Sequence, residues 1–109
     1  MRTLCLASIL AVLLAPAAAH AGKVAGNPTA GKALFAANNC GSCHTLAAAH
    51  ATGVIAWNLD KKKPAYAAIV SAVTNGMTKG GLAMTAYKGT LSTKQIQDLA
   101  AFVYTATHA

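Results

Sequence analysis

The stretch Cys40-Gly41-Ser42-Cys43-His44 decides how the rest of the chain is read. Two thiols three positions apart lie about one helical turn from each other, and a histidine follows the second directly. This is the C-x-x-C-H spacing of c-type haem attachment. The two thiols form thioethers with the two vinyl groups of one haem, and the adjacent imidazole points at its iron. Gly41 and Ser42 are small enough to let the backbone lie close to a porphyrin. Competing readings lack their context. A redox-active pair needs a βαβ setting that this Ala-rich chain does not suggest, and a structural zinc needs four ligands where the chain offers two Cys and scattered His. A disulfide across three positions closes almost no loop and constrains the unfolded chain little.

Upstream of the motif, residues 1–21 read as a cleaved secretory signal: Arg2 as the positive start, Leu4 to Leu14 as the apolar run, and Ala19-His20-Ala21 as an A-x-A site. Ala17-Ala18-Ala19 offers a second cleavage point. The run falls short of the roughly 20 apolar residues needed to cross a bilayer, and no later stretch approaches that length. The alternative is an uncleaved anchor. A periplasmic location is expected, with a thylakoid lumen or an extracellular face as alternatives, because covalent haem attachment in bacteria is completed outside the cytoplasm. Cys5 would leave with the signal, so Cys40 and Cys43 are the cysteines of the domain at 22–109.

The chain has 109 residues, 55% of them hydrophobic and 10% charged, which leaves room for one small domain. Once the signal is removed, half of the 88 remaining residues are hydrophobic, and 20 of those are Ala. A core so short of large side chains needs a staple, and a single covalent haem c would supply an apolar centre.

Downstream and upstream of the motif the pattern is helical. Asn27-Pro28 opens a helix, with Asn as cap and Pro at the first helical position, that runs to Asn38 or Asn39. Pro64 and Asn75-Gly76 bracket a second, Ala65 to Thr74, with Ile69, Val70 and Val73 on its apolar side. Ser92-Thr93-Lys94-Gln95 reads as a capping box, followed by Ile96, Leu99, Ala100 and Val103 at i, i+3, i+4, i+7. No period-two alternation appears, so the expected fold is all-α.

From Thr29 to Thr107 the chain resembles the class I monohaem cytochromes c, in the Gly31-Lys32-Ala33-Leu34-Phe35 opening, the haem motif and the closing amphipathic helix. The resemblance implies crossed N- and C-terminal helices, with Gly31 and Phe35 packed on Leu99 and Phe102, and one or two short middle helices. It also implies His44 as proximal axial ligand and Met84 as distal ligand, since Met84 lies 40 residues after His44 on a loop just before the last helix. Met77 is the fallback, ahead of His50, His108 and Lys79. The segment from Met84 to Leu91 looks like the family's Met-Pro-x-Phe-x-Gly-x-Leu, but Thr85 stands where Pro is usual. Likewise Gly53-Val54-Ile55-Ala56-Trp57-Asn58-Leu59 stands where the family carries Gly-Pro-Asn-Leu and lends the Pro carbonyl to the proximal imidazole. Trp57 could lend its own carbonyl. Its indole could cover a haem propionate or could simply be core, and Tyr87 is a further candidate haem contact.

A His/Met iron leaves no coordination site for substrate, so the implied function is one-electron transport rather than catalysis. Rival readings are an electron-accepting subunit of a dehydrogenase, a five-coordinate haem with peroxidase or gas-binding activity, and a haem-free binding module with a Cys40–Cys43 disulfide. Eight Lys against the two carboxylates Asp60 and Asp98 leave a formal +6 after the signal, with Lys61, Lys62 and Lys63 the only run. Such a surplus suits redox partner proteins with acidic docking surfaces, although a triple-Lys run also suits a merely solvated face. Nothing points to nucleic acid, and the expected state is a monomer.

Overall fold

The computed structural model describes residues 23–109; the expected signal at 1–21 lies outside them. Four helices carry the fold: α1 (Pro28–Ala37), α2 (Leu59–Lys62), α3 (Tyr66–Asn75) and α4 (Thr93–Thr107). Two small antiparallel ladders stand between them, β1 (Thr45–Leu46) with β2 (Ala51–Thr52), and β3 (Met77–Lys79) with β4 (Leu82–Met84). The expected all-α class holds for the body of the molecule. The ladders are too short for a period-two signature to have been readable.

Local chemistry explains each helix end. The Asn27 side chain accepts from the amides of Thr29 and Ala30, with Pro28 at the first helical position, so α1 starts where the cap predicts. Ser92 and Gln95 complete a reciprocal capping box at α4. The start of α3 differs from expectation: its cap is Ala65 and its first residue Tyr66, so Pro64 lies just outside the helix. The sequence reading did not resolve the single turn α2, capped by the Asn58 side chain on the Lys61 amide.

α1 and α4 pack directly on each other, as the resemblance implied, with Phe35, Leu99 and Phe102 in one buried cluster. A Cβ on Gly31 would overlap the Asp98 carbonyl and lie 2.8 Å from Phe102 Cβ, so only glycine lets the backbones come this close. Phe35 meets Phe102 edge-on, with ring centroids 5.7 Å apart. Ile96, Leu99, Ala100 and Val103 are all buried, so the heptad-like spacing of α4 does mark its core face. Ile69 and Val73 of α3 and Leu46 of β1 complete the same apolar cluster.

The N-terminal segment is tied down by polar groups. The Asn27 amide donates to Asp98 Oδ1 at 2.8 Å, Lys94 Nζ meets Asp98 Oδ2 at 2.9 Å, and Tyr66 donates its hydroxyl to the Ala25 carbonyl. Asp98 is buried within α4, yet both its oxygens are engaged.

Candidate functional site

Asn39 adopts a left-handed conformation (φ 54°) that turns the chain out of α1 and into a 3₁₀ turn at Cys40–Ser42. The His44 amide then donates to the Cys40 carbonyl at 3.0 Å, so the motif backbone is wound as a single turn. Cys40 and Cys43 are free and half-buried. Burial, partly offset by a backbone hydrogen bond, pushes the Cys40 thiol up to about 11. A C-x-x-C oxidoreductase requires the opposite, a thiol pulled down so that it reacts as thiolate. Among the described residues no group of three or more His, Cys, Asp or Glu is placed to hold a metal ion.

The His44 ring is oriented by its own chain. Its Nδ1 lies 2.8 Å from the Trp57 carbonyl, and only a protonated Nδ1 can donate to a carbonyl, so this bond leaves Nε2 with its lone pair free for a metal. The Trp57 carbonyl is held in place from both sides. Asn58 bridges Thr45, and the Ala56 amide donates to the Cys43 carbonyl at 2.9 Å. The preceding Gly53 presses on the motif itself. A Cβ there would fall 2.5 Å from Cys43 C and 2.6 Å from the Gly41 carbonyl oxygen. Thr45 Oγ1 donates to the Gly53 carbonyl at 2.7 Å and fixes this approach.

The methionines are separated by environment rather than by direction. Met84 and Met77 are cross-strand partners on β4 and β3 and share one face of the ladder. Met84 is half-buried and packs against the apolar core, as do Cys40 and Tyr87, whereas Met77 is exposed. Met84 therefore sits on a strand rather than the expected open loop. The Tyr87 amide donates to the Val73 carbonyl, and burial raises its phenol above the usual range, with further pushes from nearby Cys40 and Cys43. Cys40, Cys43 and Tyr87 thus form one neighbourhood.

Trp57 is exposed, not core. Its ring lies 4.5 Å from Lys62 Nζ and 6.0 Å from Lys79 Nζ, a pairing the sequence did not suggest, because Lys79 arrives from the β3–β4 hairpin. His50 is exposed in a left-handed turn, and His108 stacks on Tyr104 and bonds to that residue's carbonyl. A groove of about 240 Å³ beside Gly41 and Ser42, lined also by Asn39, His50 and Thr52, adjoins the motif without reaching His44 or Met84.

The donor set and its surroundings fit a covalent haem. Two free cysteines and an imidazole whose Nδ1 is bonded to backbone lie beside the close approach that Gly53 permits, and Met84 and Cys40 both pack at the edge of the apolar core.

Comparison with known proteins agrees with this chemistry. Residues 26–103 match the family model described as cytochrome c oxidase, cbb3-type, subunit III. The c-type cytochrome SorU from Sinorhizobium meliloti has a similar structure, with 34% sequence identity and a TM-score of 0.65 over 73% of this chain and 90% of that one. No curated protein matches the chain.

Proposed function

Because the chain belongs to the c-type cytochrome family, to which a match over residues 26–103 assigns it, we propose that it carries single electrons on one covalent haem ligated by His44 and Met84. The haem, when bound, supplies a reversible one-electron couple between Fe(III) and Fe(II).

The protein's part is to hold, orient and shield. Cys40 and Cys43 anchor the group through two thioethers, so it cannot dissociate. The Trp57 carbonyl, by accepting a hydrogen bond from the Nδ1–H of His44, fixes the ring plane and makes Nε2 a stronger donor. Met84 offers a soft sulfur from the edge of the core, which favours the reduced state and raises the potential. Tyr87 and the buried aliphatic side chains of α3 and α4 keep water away, which lowers the reorganisation that accompanies each transfer. Trp57 and Tyr87 are assigned as contacts of the group.

Both carboxylates of the domain take part in local structure. Asp60 Oδ2 accepts the Ala47 amide, and Asp98 is bound by Asn27 and Lys94. Electron transfer asks for no general acid or base. Export to the periplasm, removal of residues 1–21, a monomeric state and acidic partner proteins complete the reading; no helix among the described residues is long and apolar enough to cross a membrane.

The observation that carries this proposal is the 2.8 Å contact between His44 Nδ1 and the Trp57 carbonyl, directly after the Cys40 and Cys43 pair. Protein matured with the haem-attachment machinery should gain the mass of one haem and give a low-spin spectrum with the weak red methionine-to-iron band. Met84→Ala should abolish that band and Met77→Ala should keep it. High-spin iron in the resting protein would instead favour the five-coordinate peroxidase or gas-binding alternative, and a mass without haem would sink the assignment.

A further inference from the structure

We propose that the Asn75–Gly76 bond is a deamidation site guarded by the fold. The closed end of α3 keeps it from reacting, and opening of that end lets residue 75 pass through a cyclic imide to isoaspartate and aspartate.

The chemistry follows from the two residue types. The main-chain nitrogen of Gly76 attacks the side-chain carbonyl carbon of Asn75, a C–N bond closes a succinimide ring, and the side-chain amide leaves as ammonia, taking the proton from that nitrogen. Water then opens the ring. Addition at the former side-chain carbonyl gives aspartate, and addition at the main-chain carbonyl gives isoaspartate, in which the chain runs through the side chain of residue 75. Water enters, ammonia leaves and no electron is transferred. Asparagine is thermolabile through this route, and a following glycine obstructs the attacking nitrogen least. Asn75–Gly76 is the only Asn-Gly pair in the chain. Asn27 precedes a proline, whose nitrogen carries no hydrogen, and Asn38, Asn39 and Asn58 precede residues with side chains.

Three features hold the reaction back. Asn75 is the last residue of α3, and ring closure requires its backbone to leave the helical conformation. The attacking nitrogen is engaged, because the Gly76 amide donates to the Ala72 carbonyl at 2.8 Å. The space around Gly76 is filled: a Cβ there would overlap the Met84 carbonyl oxygen and lie 2.9 Å from the Ala86 nitrogen. The Tyr87 amide on the Val73 carbonyl and the Lys88 amide on the Thr74 carbonyl clamp that stretch to the helix end. Gly76 cannot swing toward the Asn75 side chain until this assembly opens. A reaction that proceeds only from a locally opened form tracks the population of that form.

The same packing separates the effects of the two products. Both gain a negative charge, but isoaspartate also lengthens the backbone by one methylene immediately before Gly76. With backbone of Met84 and Ala86 against Gly76, the added atom must unwind the last turn of α3 or displace the 84–86 stretch. Resting on the reading that Met84 ligates the iron, the isoaspartate form has a weakened methionine-to-iron bond; the aspartate form keeps it.

The test incubates haem-loaded protein beside the free peptide of residues 70–81 at mildly alkaline pH. Conversion is read by peptide mass mapping, by cation exchange, which resolves the added negative charge, and by isoaspartyl methyltransferase labelling. The folded protein should convert at least about tenfold more slowly than the peptide, and urea below the global transition should narrow the gap. Asn75→Gln should not convert. The purified isoaspartate form should melt below Asn75→Asp, which has the same charge on a normal chain and should melt close to wild type. Conversion as fast in the folded protein as in the peptide would overturn the proposal. So would a site inert in urea that leaves the peptide reactive, or an isoaspartate form as stable as Asn75→Asp. Absence of the methionine-to-iron band in unmodified protein would refute the Met84 reading itself, while mass, charge and melting still decide the deamidation proposal.

Discussion

Replacing Gly31 by Ala sets two opposed effects against each other. Alanine is the better helix former, and at an interior helical position the change by itself should stabilise by about 0.5–1 kcal/mol. Against this, the added Cβ would overlap the Asp98 carbonyl and sit 2.8 Å from Phe102 Cβ. The obstacle includes backbone of α4, which cannot rotate away as a side chain would. The helices must part, which loosens the edge-on contact of Phe35 with Phe102, a pair contributing about 0.5–1.5 kcal/mol beyond its buried area. Overpacking in a filled core costs about 1–3 kcal/mol, and a clash with backbone belongs at the upper end. The sum predicts a net loss of about 2 kcal/mol, equivalent to a fall in Tm on the order of 10 °C for a domain this small. Thermal unfolding of the haem-loaded protein, followed by far-ultraviolet circular dichroism, measures it. Ala33→Gly, on the exposed side of the same helix, gives the propensity effect alone and should cost no more than about 1 kcal/mol. A Gly31→Ala protein as stable as wild type would refute the claim that glycine is required for the approach of α1 and α4.

Two further expectations concern acid stability and maturation. The hydrogen bond from Lys94, aided by the Asn27 amide, holds the Asp98 carboxyl below its ordinary value of 3.8. Its contribution is therefore fully present above the unfolded value and lost as pH falls through the lower folded one. Asp98→Asn should flatten the acid limb of stability against pH below about 4 while Lys94→Gln flattens it partially, and an unchanged acid limb in Asp98→Asn would contradict this. Gly53→Ala would drive a Cβ to 2.5 Å from Cys43 C and 2.6 Å from the Gly41 carbonyl oxygen, so the yield of haem-attached protein from co-expression with haem-attachment machinery should fall severalfold. A wild-type yield would show that the motif turn does not depend on that contact.

Much of the fold was legible because its signals are local. The Asn27 cap with Pro28, the Ser92–Gln95 box and the spacing of Ile96, Leu99, Ala100 and Val103 each depend on residues within one or two turns. The ladders and α2 were missed for the converse reason. Two- and three-residue strands and a single helical turn are too short to carry a period, and they exist because the flanking chain is already held by longer elements. The start of α3 moved by one residue because Pro64 stays outside the helix and Ala65 takes the cap with extended backbone.

At the site, Cys40, Cys43 and His44 are singled out by the sequence because the proposed chemistry depends on covalent spacing. Trp57 in the position usually held by proline was a question that only three-dimensional contact could answer: its carbonyl accepts a hydrogen bond from His44 Nδ1 and its ring is partly exposed beside two lysines. Met84 and Met77 are equivalent as side chains in a list. They differ because, although paired across the β3–β4 ladder, Met84 packs against the core while Met77 is exposed.

What the sequence by itself determined is the short-range chemistry: a thiol pair with an adjacent imidazole, the helix caps, and a basic surplus over a core short of large side chains. The tertiary structure alone decided which distant groups meet, namely Asp98 with Asn27, Gly53 with Cys43, and Lys79 with Trp57. The physical reason is that caps and motif spacing follow from bond geometry over a few residues. The pairing of residues tens of positions apart is settled only when the whole chain minimises exposed apolar surface and unpaired polar groups together.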